Sequence, residues 1–189
     1  MYSLPIHQQP RKSFSNVNAV LILILISGFI VIFSSGKSLF PFPVYRWDIL
    51  LPFMIYFGQR RTWTEGIVLT VVSAHLYSLA SSAPVGLFTI HYLLYFTLAR
   101  LFSYVLYANR WYSILVLMLS FITLSRLSMA FMALVFGHGW PLKSPQNFNV
   151  WFLITNSVFG YFIYVALGLL DRLTGKLPRQ NIELRRDRL

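Results

Sequence analysis

The sequence contains no cysteine and very little negative charge. Five Asp and Glu stand against 16 Lys and Arg in 189 residues, and only 11% of the chain is charged. A soluble domain carries about 25% charged residues, because water must tolerate its surface. The lack of charge therefore excludes an ordinary soluble domain, a disordered chain and a coiled coil. The lack of cysteine excludes disulfides, a thiolate metal site and a cysteine nucleophile.

The residues that are present are mostly apolar. Hydrophobic side chains make up 57% of the chain, and its mean hydropathy is +0.63. The net charge of +11 does not require a nucleic-acid partner, since basic residues collect in the cytoplasmic loops of membrane proteins as orientation signals. We therefore predict an all-α, polytopic membrane bundle in contact with lipid.

Charge-free stretches predict where the chain crosses the membrane. A bilayer core of ~30 Å requires ~20 helical residues. The stretch 66–99 is too long for one helix, and we divide it at the Ser-Ser-Ala-Pro cluster of residues 81–84, because proline disfavours helix in the residue before it. The predicted spans lie at about 17–33, 47–58, 63–80, 85–107, 111–136 and 150–170. They form a bundle over residues 17–170, between an N-terminal tail of residues 1–16 and a basic tail of residues 171–189.

The second span leaves the number of crossings open between six and five. Its charge-free core, residues 49–59, has 11 residues, which is shorter than a full span, so it could instead be re-entrant or interfacial. The distribution of Lys and Arg places the C-terminal tail in the cytoplasm in either case and leaves the side of the N-terminus open. We favour six spans because Trp47 and Trp63 bracket the segment as interface anchors would.

The tryptophans support these helix ends. Each lies at or just beyond the end of a predicted helix, which is typical of an aromatic belt at headgroup depth. The five are Trp47, Trp63, Trp111, Trp140 and Trp151. The first apolar segment also resembles a signal peptide, but it is longer than a usual apolar region and Ser34-Ser35-Gly36 is a poor cleavage site. We therefore expect an uncleaved first span.

Polar side chains within the spans are the candidate binding residues. An ionisable residue in a span is costly and normally faces the bundle interior or a watery cavity. Five such groups fall in the predicted outer half of the bundle and are Asp48, His75, His91, Arg126 and Asn156. Asp48 is the only carboxylate there, so we predict that it is the counter-ion of Arg126. The five groups could line an outward-facing pocket or partner groove. Alternatively, each is satisfied separately by a nearby hydroxyl or carbonyl, and Arg126 snorkels to the interface.

Catalytic motifs are missing from the sequence. Two histidines without a third ligand make a weak metal site, and there is no nucleophile elbow, phosphate-binding glycine loop or His-Glu-x-x-His motif. Glu65 follows Arg60 and Arg61 at the predicted cytoplasmic end, where we expect a solvated ion pair. We predict neither an enzyme nor a pump, and no cofactor or metal. The basic tail is expected to orient the chain, with anionic headgroups or an acidic partner as alternatives.

The run from Arg46 to Arg100 resembles the bacterial rod shape-determining protein MreD family. That family begins its second helix with a Pro-Asp-apolar sequence, matched here by Trp47-Asp48-Ile49-Leu50. It begins its third helix with a Glu/Gly pair, matched by Glu65-Gly66, and has a small-residue turn before the fourth, matched by Ser81-Ser82-Ala83-Pro84-Val85-Gly86. Trp47 replaces the proline, and Ser78 stands where many members carry an acidic residue. The role of that carboxylate is expected to be absent or to pass to Asp48 or His75.

The resemblance implies a non-enzymatic scaffold subunit of the cell-elongation machinery in the bacterial inner membrane. Members are similar in fold to the substrate-binding subunits of energy-coupling-factor vitamin transporters. They associate with the single-span protein MreC and, through it, with the glycan polymerase RodA, a class B penicillin-binding transpeptidase and the filament protein MreB. The alternative function is a vitamin-binding transporter subunit, which the polar residues of the outer half would also suit.

Overall fold

A computed structural model describes residues 15–35, 48–81, 86–105, 111–135 and 150–176 of the chain, and these residues form six α-helices and no strand. The all-α prediction is confirmed for them. The helices are α1 (Ser15–Ser35), α2 (Leu50–Arg60), α3 (Trp63–Ala80), α4 (Leu87–Val105), α5 (Trp111–Val135) and α6 (Val150–Leu173). Residues 82–84 of the predicted turn lie outside the described residues, as do Trp47, Trp140 and the tail beyond residue 176.

Three of these helices are long and apolar enough to cross a membrane. They are the stretches Val17–Ser34 in α1, Trp111–Phe131 in α5 and Val150–Leu173 in α6. Helix α6 continues beyond the predicted end at residue 170, so Asp171 and Arg172 lie in a helix rather than in the tail. The long apolar helices indicate a membrane protein.

Consecutive helices run in opposite directions. The Nδ2 atom of Asn18 at the start of α1 lies 3.0 Å from Oδ1 of Asp171 at the end of α6, and Arg61 directly after α2 contacts the same carboxylate. At the other end, the ring of Tyr77 near the end of α3 lies 4.9 Å from that of Phe88 at the start of α4. The first residues of α1 and the last residues of α6 therefore lie at the same end of the bundle.

Helix α2 is the centre of the bundle although it is the shortest helix. Every residue from Leu50 to Gly58 is buried, and α2 packs against α3, α4, α5 and α6. Pro52 lies in its first turn, where a backbone N–H has no partner within the helix, so proline is tolerated. At 1.5 Å per residue its 11 residues extend ~16 Å. The neighbouring helices enclose this short segment.

The other five helices expose apolar side chains on their outward faces. Ile24 of α1, Ile90 of α4 and Phe162 of α6 are each more than 60% exposed. Trp63, Trp111 and Trp151, the tryptophans within the described part of the chain, are exposed at the first or second residue of a helix. Apolar groups thus face outward while Arg61, Arg100 and Asp171 are buried, as expected for a bundle surrounded by lipid.

Glycines allow α2 and its neighbours to approach closely. A Cβ added at Gly58 would lie 2.7 Å from Cβ of Ala99 and 2.9 Å from the backbone nitrogen of Arg100 on α4. A Cβ at Gly66 of α3 would lie 2.3 Å from the ring of Phe96. Small residues at helix contacts are the usual means of close packing in membranes, and here they fix α4 against both α2 and α3.

Candidate functional site

Two clusters of polar side chains lie at the two ends of α2. The first, here called the Asp48 cluster, consists of Asp48, His91, Tyr92 and Ser125. Oδ1 of Asp48 accepts hydrogen bonds from the Leu51 amide at 3.3 Å and from the Tyr92 hydroxyl at 2.9 Å. Its Oδ2 accepts from Oγ of Ser125 at 2.8 Å. A carboxylate at a helix N-terminus also complements the helix dipole, so Asp48 joins the start of α2 to α4 and α5.

His91 extends this cluster into the bundle. Its side chain is fully buried, and Nε2 lies 3.3 Å from Oγ of Ser125. The imidazole packs against the rings of Tyr92 and Tyr95, with centroid distances of 5.2 and 4.7 Å. Its Nδ1 has no hydrogen-bond partner among the described residues. The structure therefore links His91 to Asp48 through a shared serine.

The other three predicted site residues lie in three different environments; they are Arg126, Asn156 and His75. The guanidinium of half-buried Arg126 lies over the ring of Phe152, 4.6 Å from its centroid. Asn156 is fully buried, and neither its amide nitrogen nor its oxygen has a partner within the described parts of the chain. His75 lies on the exposed face of α3, and no described contact joins it to the other four. The predicted pairing of Asp48 with Arg126 stays a prediction.

The second cluster, here called the Arg61 cluster, was missed by the sequence analysis. It consists of Asn18, Tyr56, Arg61, Asp171 and Thr174. Nη2 of Arg61 donates to Oδ1 of Asp171 at 2.5 Å and to Oδ1 of Asn18 at 2.8 Å, and the Tyr56 hydroxyl donates to Oδ2 of Asp171 at 2.5 Å. Only 1% of Arg61 and 8% of Asp171 is exposed. This buried ion pair ties α1, α2 and α6 together.

The prediction of a solvated ion pair beside Glu65 is wrong. Nη1 of Arg61 does lie 3.5 Å from Oε1 of Glu65, but the Arg61 side chain is covered by α1 and α6. Glu65 also contacts the ammonium group of Lys176, just beyond α6. Burial lowers the pKa of Lys176, and the hydrogen bond to Glu65 opposes that shift. One network of ion pairs therefore joins two carboxylates to two cations; its members are Glu65, Asp171, Arg61 and Lys176.

Arg100 caps the end of α2 from the side. Its guanidinium donates to the carbonyl of Gly58 at 3.2 Å and to the carbonyl of Arg61, and it lies 5.3 Å from the ring centroid of Trp63. The last carbonyls of a helix have no partner within the helix and carry partial negative charge, so a buried cation stabilises them. With Asp48 at its start and Arg100 at its end, α2 has a charge of the favourable sign at each terminus.

The sequence carried one weak signal for the Arg61 cluster. Asn18 interrupts the apolar run of the first span near its start, and Asp171 directly follows the apolar run of the last span. Each polar group alone resembles an interface residue, and only the antiparallel contact of α1 with α6 brings them together. Within the described residues, no group of three or more His, Asp and Glu side chains could hold a metal ion.

No protein-family model, curated protein or solved structure matches this chain.

Proposed function

We propose that this protein is a membrane scaffold subunit of the bacterial cell-elongation machinery, similar to MreD and without catalytic activity. In this proposal it lies in the inner membrane with its C-terminus in the cytoplasm and binds an MreC-like protein. Through that protein it is connected to a RodA-like polymerase, a class B transpeptidase and MreB filaments. The observation that carries the proposal is the position of the residues that resemble the family.

Those residues form contacts between the helices of the bundle. Asp48, from the Trp-Asp-apolar sequence, accepts three hydrogen bonds at the start of the central helix. Glu65 bridges Arg61 and Lys176, and Gly66 allows the ring of Phe96 to approach. The motif residues thus take part in contacts that join α2 to α4 and α5, α3 to α4, and α3 to the chain just after α6, which is the role expected of residues that preserve a scaffold.

A six-span topology fits this proposal, and the direction of the helices supports it. With six crossings both chain ends lie on the same side of the membrane, whereas five crossings place them on opposite sides. Asn18 and Asp171, near the two ends of the bundle, are in hydrogen-bond contact. Helix α2 is too short to span a ~30 Å core in contact with lipid. The surrounding helices cover it, however, and Asp48 before it and Arg61 after it belong to the Asp48 cluster and the Arg61 cluster.

The test is purification of the tagged, full-length protein from its host in mild detergent, followed by mass spectrometry of the proteins that accompany it. The proposal predicts an MreC-like protein together with a RodA-like polymerase and a class B transpeptidase. Their enrichment is measured against a tagged, unrelated membrane protein of similar abundance. Recovery of paired ABC-type ATPases with a coupling membrane subunit would contradict the scaffold proposal.

The second candidate function is the substrate-binding subunit of a vitamin transporter, and one observation favours it. The buried amide of Asn156 and Nδ1 of buried His91 have no partner in the described part of the chain. Buried polar atoms are normally hydrogen-bonded, and a small polar ligand that reached either group could satisfy it. This candidate predicts that a vitamin raises the thermal-unfolding midpoint of the purified protein, because a ligand of the folded state stabilises it by mass action.

A further inference from the structure

Asp48, Ser125 and His91 form one continuous hydrogen-bonded chain that runs from the start of α2 into the bundle. Asp48 is half-buried at one end of this chain, and His91 is fully buried at the other. Oγ of Ser125 lies between them, 2.8 Å from Oδ2 of Asp48 and 3.3 Å from Nε2 of His91. A single hydroxyl group therefore connects a carboxylate to an imidazole.

The direction of these hydrogen bonds determines which nitrogen of His91 carries the proton. An ionised carboxylate only accepts hydrogen bonds, so the Ser125 hydroxyl donates its proton to Asp48. Oγ of Ser125 then acts as an acceptor toward His91, and Nε2 must carry the imidazole proton. Nδ1 is left as an acceptor, and it has no partner among the residues that the structure describes.

The two tyrosine hydroxyls beside His91 donate their protons to other groups. The rings of Tyr92 and Tyr95 pack against the imidazole. The Tyr92 hydroxyl donates to Oδ1 of Asp48 at 2.9 Å, and the Tyr95 hydroxyl donates to Oγ of Ser128 at 2.8 Å. A hydroxyl has a single proton to donate. Nδ1 of His91 is therefore a basic nitrogen inside the bundle to which a further proton can bind.

The charged and titratable groups around this chain come from the start of α2 and from α3, α4 and α5. They are Asp48, Tyr77, Tyr92, Tyr95 and Arg126. Helix α1 carries no ionisable side chain, and α6 carries no charged one before its last turn. Asp48 and Arg126 both act electrostatically on Tyr92. Asp48 thus attracts a proton to this region, whereas Arg126 opposes its binding.

We propose that this chain is a proton-binding site in which the uptake of one proton neutralises Asp48 and changes the tautomer of His91. Nδ1 gains the proton, Nε2 gives its own proton to Oγ of Ser125, and Ser125 gives its proton to Oδ2 of Asp48. The carboxylic acid then donates to Ser125, and Ser125 donates to Nε2, so both hydrogen bonds persist in the reverse direction. A neutral pair also costs less to bury than a carboxylate beside an imidazolium.

The bound proton changes the charge at the start of the central helix. As a carboxylate, Asp48 complements the dipole of α2 and accepts charge-assisted hydrogen bonds from the Leu51 amide and the Tyr92 hydroxyl. As a neutral acid it lacks that charge, and the contact between α2 and α4 is weaker. Imidazole is the side chain that titrates between about pH 5 and pH 8, so we expect the change in that range.

The experiment titrates the purified, full-length protein in detergent from about pH 8 to about pH 5 and follows two signals. Infrared difference spectra report the carbonyl band of a protonated carboxylic acid. Nitrogen NMR of isotope-labelled histidine reports which ring nitrogen carries a proton. We expect the acid band to appear at the same midpoint pH at which the proton of His91 moves from Nε2 to Nδ1. Asp48→Asn should remove the band, which assigns it.

Two matched histidine variants test the coupling between the groups. His91→Phe removes the acceptor that Ser125 needs when Asp48 is protonated, so the midpoint of the acid band should fall by about one pH unit, the effect of one lost hydrogen bond. The control is His75→Phe, because His75 is exposed on α3 and has no described contact with the chain. It should leave the midpoint unchanged, and equal midpoints in the two variants would contradict the coupling.

Two results with the parent protein alone would overturn the inference. The first is a His91 that is protonated on both nitrogens while no acid band appears, which is a simple imidazolium beside an ionised Asp48. The second is a His91 that keeps its proton on Nε2 throughout the titration. An acid band that persists in Asp48→Asn would assign the proton to another carboxyl group and would also refute the proposal. None of these results depends on which proteins accompany the chain in the membrane.

Discussion

At the scale of single residues, the buried charge of Arg61 has the largest energetic consequence. Removing one partner of a buried ion pair leaves the other charge in a site where water cannot solvate it. Asp171 provides the closest counter-charge, at 2.5 Å, and Glu65 provides a second at 3.5 Å. The stability of the bundle should therefore depend more on Asp171 than on any exposed charge.

We predict that Asp171→Asn destabilises the protein by about 3 kcal/mol, the lower end of the range for broken buried pairs, because Glu65 still faces Arg61. The measurement is the thermal-unfolding midpoint in detergent, with tryptophan fluorescence as the signal. Arg172→Gln, a change at the exposed neighbouring residue, is the control and should leave the midpoint unchanged. The double variant Arg61→Leu/Asp171→Leu should be more stable than Asp171→Asn, and equal or lower stability would refute this account.

Arg126 allows a second prediction at this scale. Arg126→Leu removes the guanidinium from above the Phe152 ring, a contact worth ~0.5–2 kcal/mol, and we expect a lower unfolding midpoint. Arg126→Lys keeps the charge without the planar group and should give an intermediate midpoint. If both the midpoint and the recovered partners are unchanged in Arg126→Leu, the predicted pairing of this residue with Asp48 is untenable.

At the scale of helices, the contact between α2 and α4 depends on the missing side chain of Gly58. A methyl group at Gly58 would lie within 3 Å of two backbone atoms of α4, the nitrogen of Arg100 and the carbonyl oxygen of Phe96. Backbone atoms cannot move aside as the end of a flexible side chain can. Any side chain at this position therefore separates the helices and displaces Arg100 from the carbonyls that it caps.

We predict that Gly58→Ala destabilises the protein by about 1–3 kcal/mol, the usual cost of overpacking. The matched control is Gly168→Ala in α6, where an added methyl group meets nothing within 4 Å. Alanine also favours helix over glycine, so the control should be neutral or slightly stabilising. Equal midpoints for the two variants, measured side by side in the same detergent, would show that the close approach is unimportant.

The helices could be predicted from the sequence more fully than the site. Charge-free stretches located all six helices within a few residues, because a change from apolar to charged side chains marks a helix end in a membrane protein. The Asp48 cluster was anticipated in part, since Asp48 and His91 are polar groups at unusual depth. The Arg61 cluster was missed because its members are up to 156 residues apart, and each one resembles an ordinary interface residue on its own.

At the scale of the whole molecule, the alternating directions of the helices predict six crossings, with both ends of the bundle on the same side of the membrane. Because the sequence has no cysteine, single cysteines can be introduced and labelled from either side of the membrane. Ser15→Cys, Thr62→Cys and Arg172→Cys should react with an impermeant maleimide from one side, and Ser81→Cys from the other. Access of Ser15→Cys and Arg172→Cys from opposite sides would indicate five crossings and contradict the arrangement of α1 beside the end of α6.

The order of synthesis separates the two charges of the Arg61–Asp171 ion pair in time. Arg61 leaves the ribosome 110 residues before Asp171, an interval of roughly 5–20 s at common translation rates. Until α6 has been made, the central helix has a cation at its end without its closest counter-charge. A chain that stops before Asp171 would keep this defect, so the end of α6 is needed to place the closest counter-charge beside Arg61.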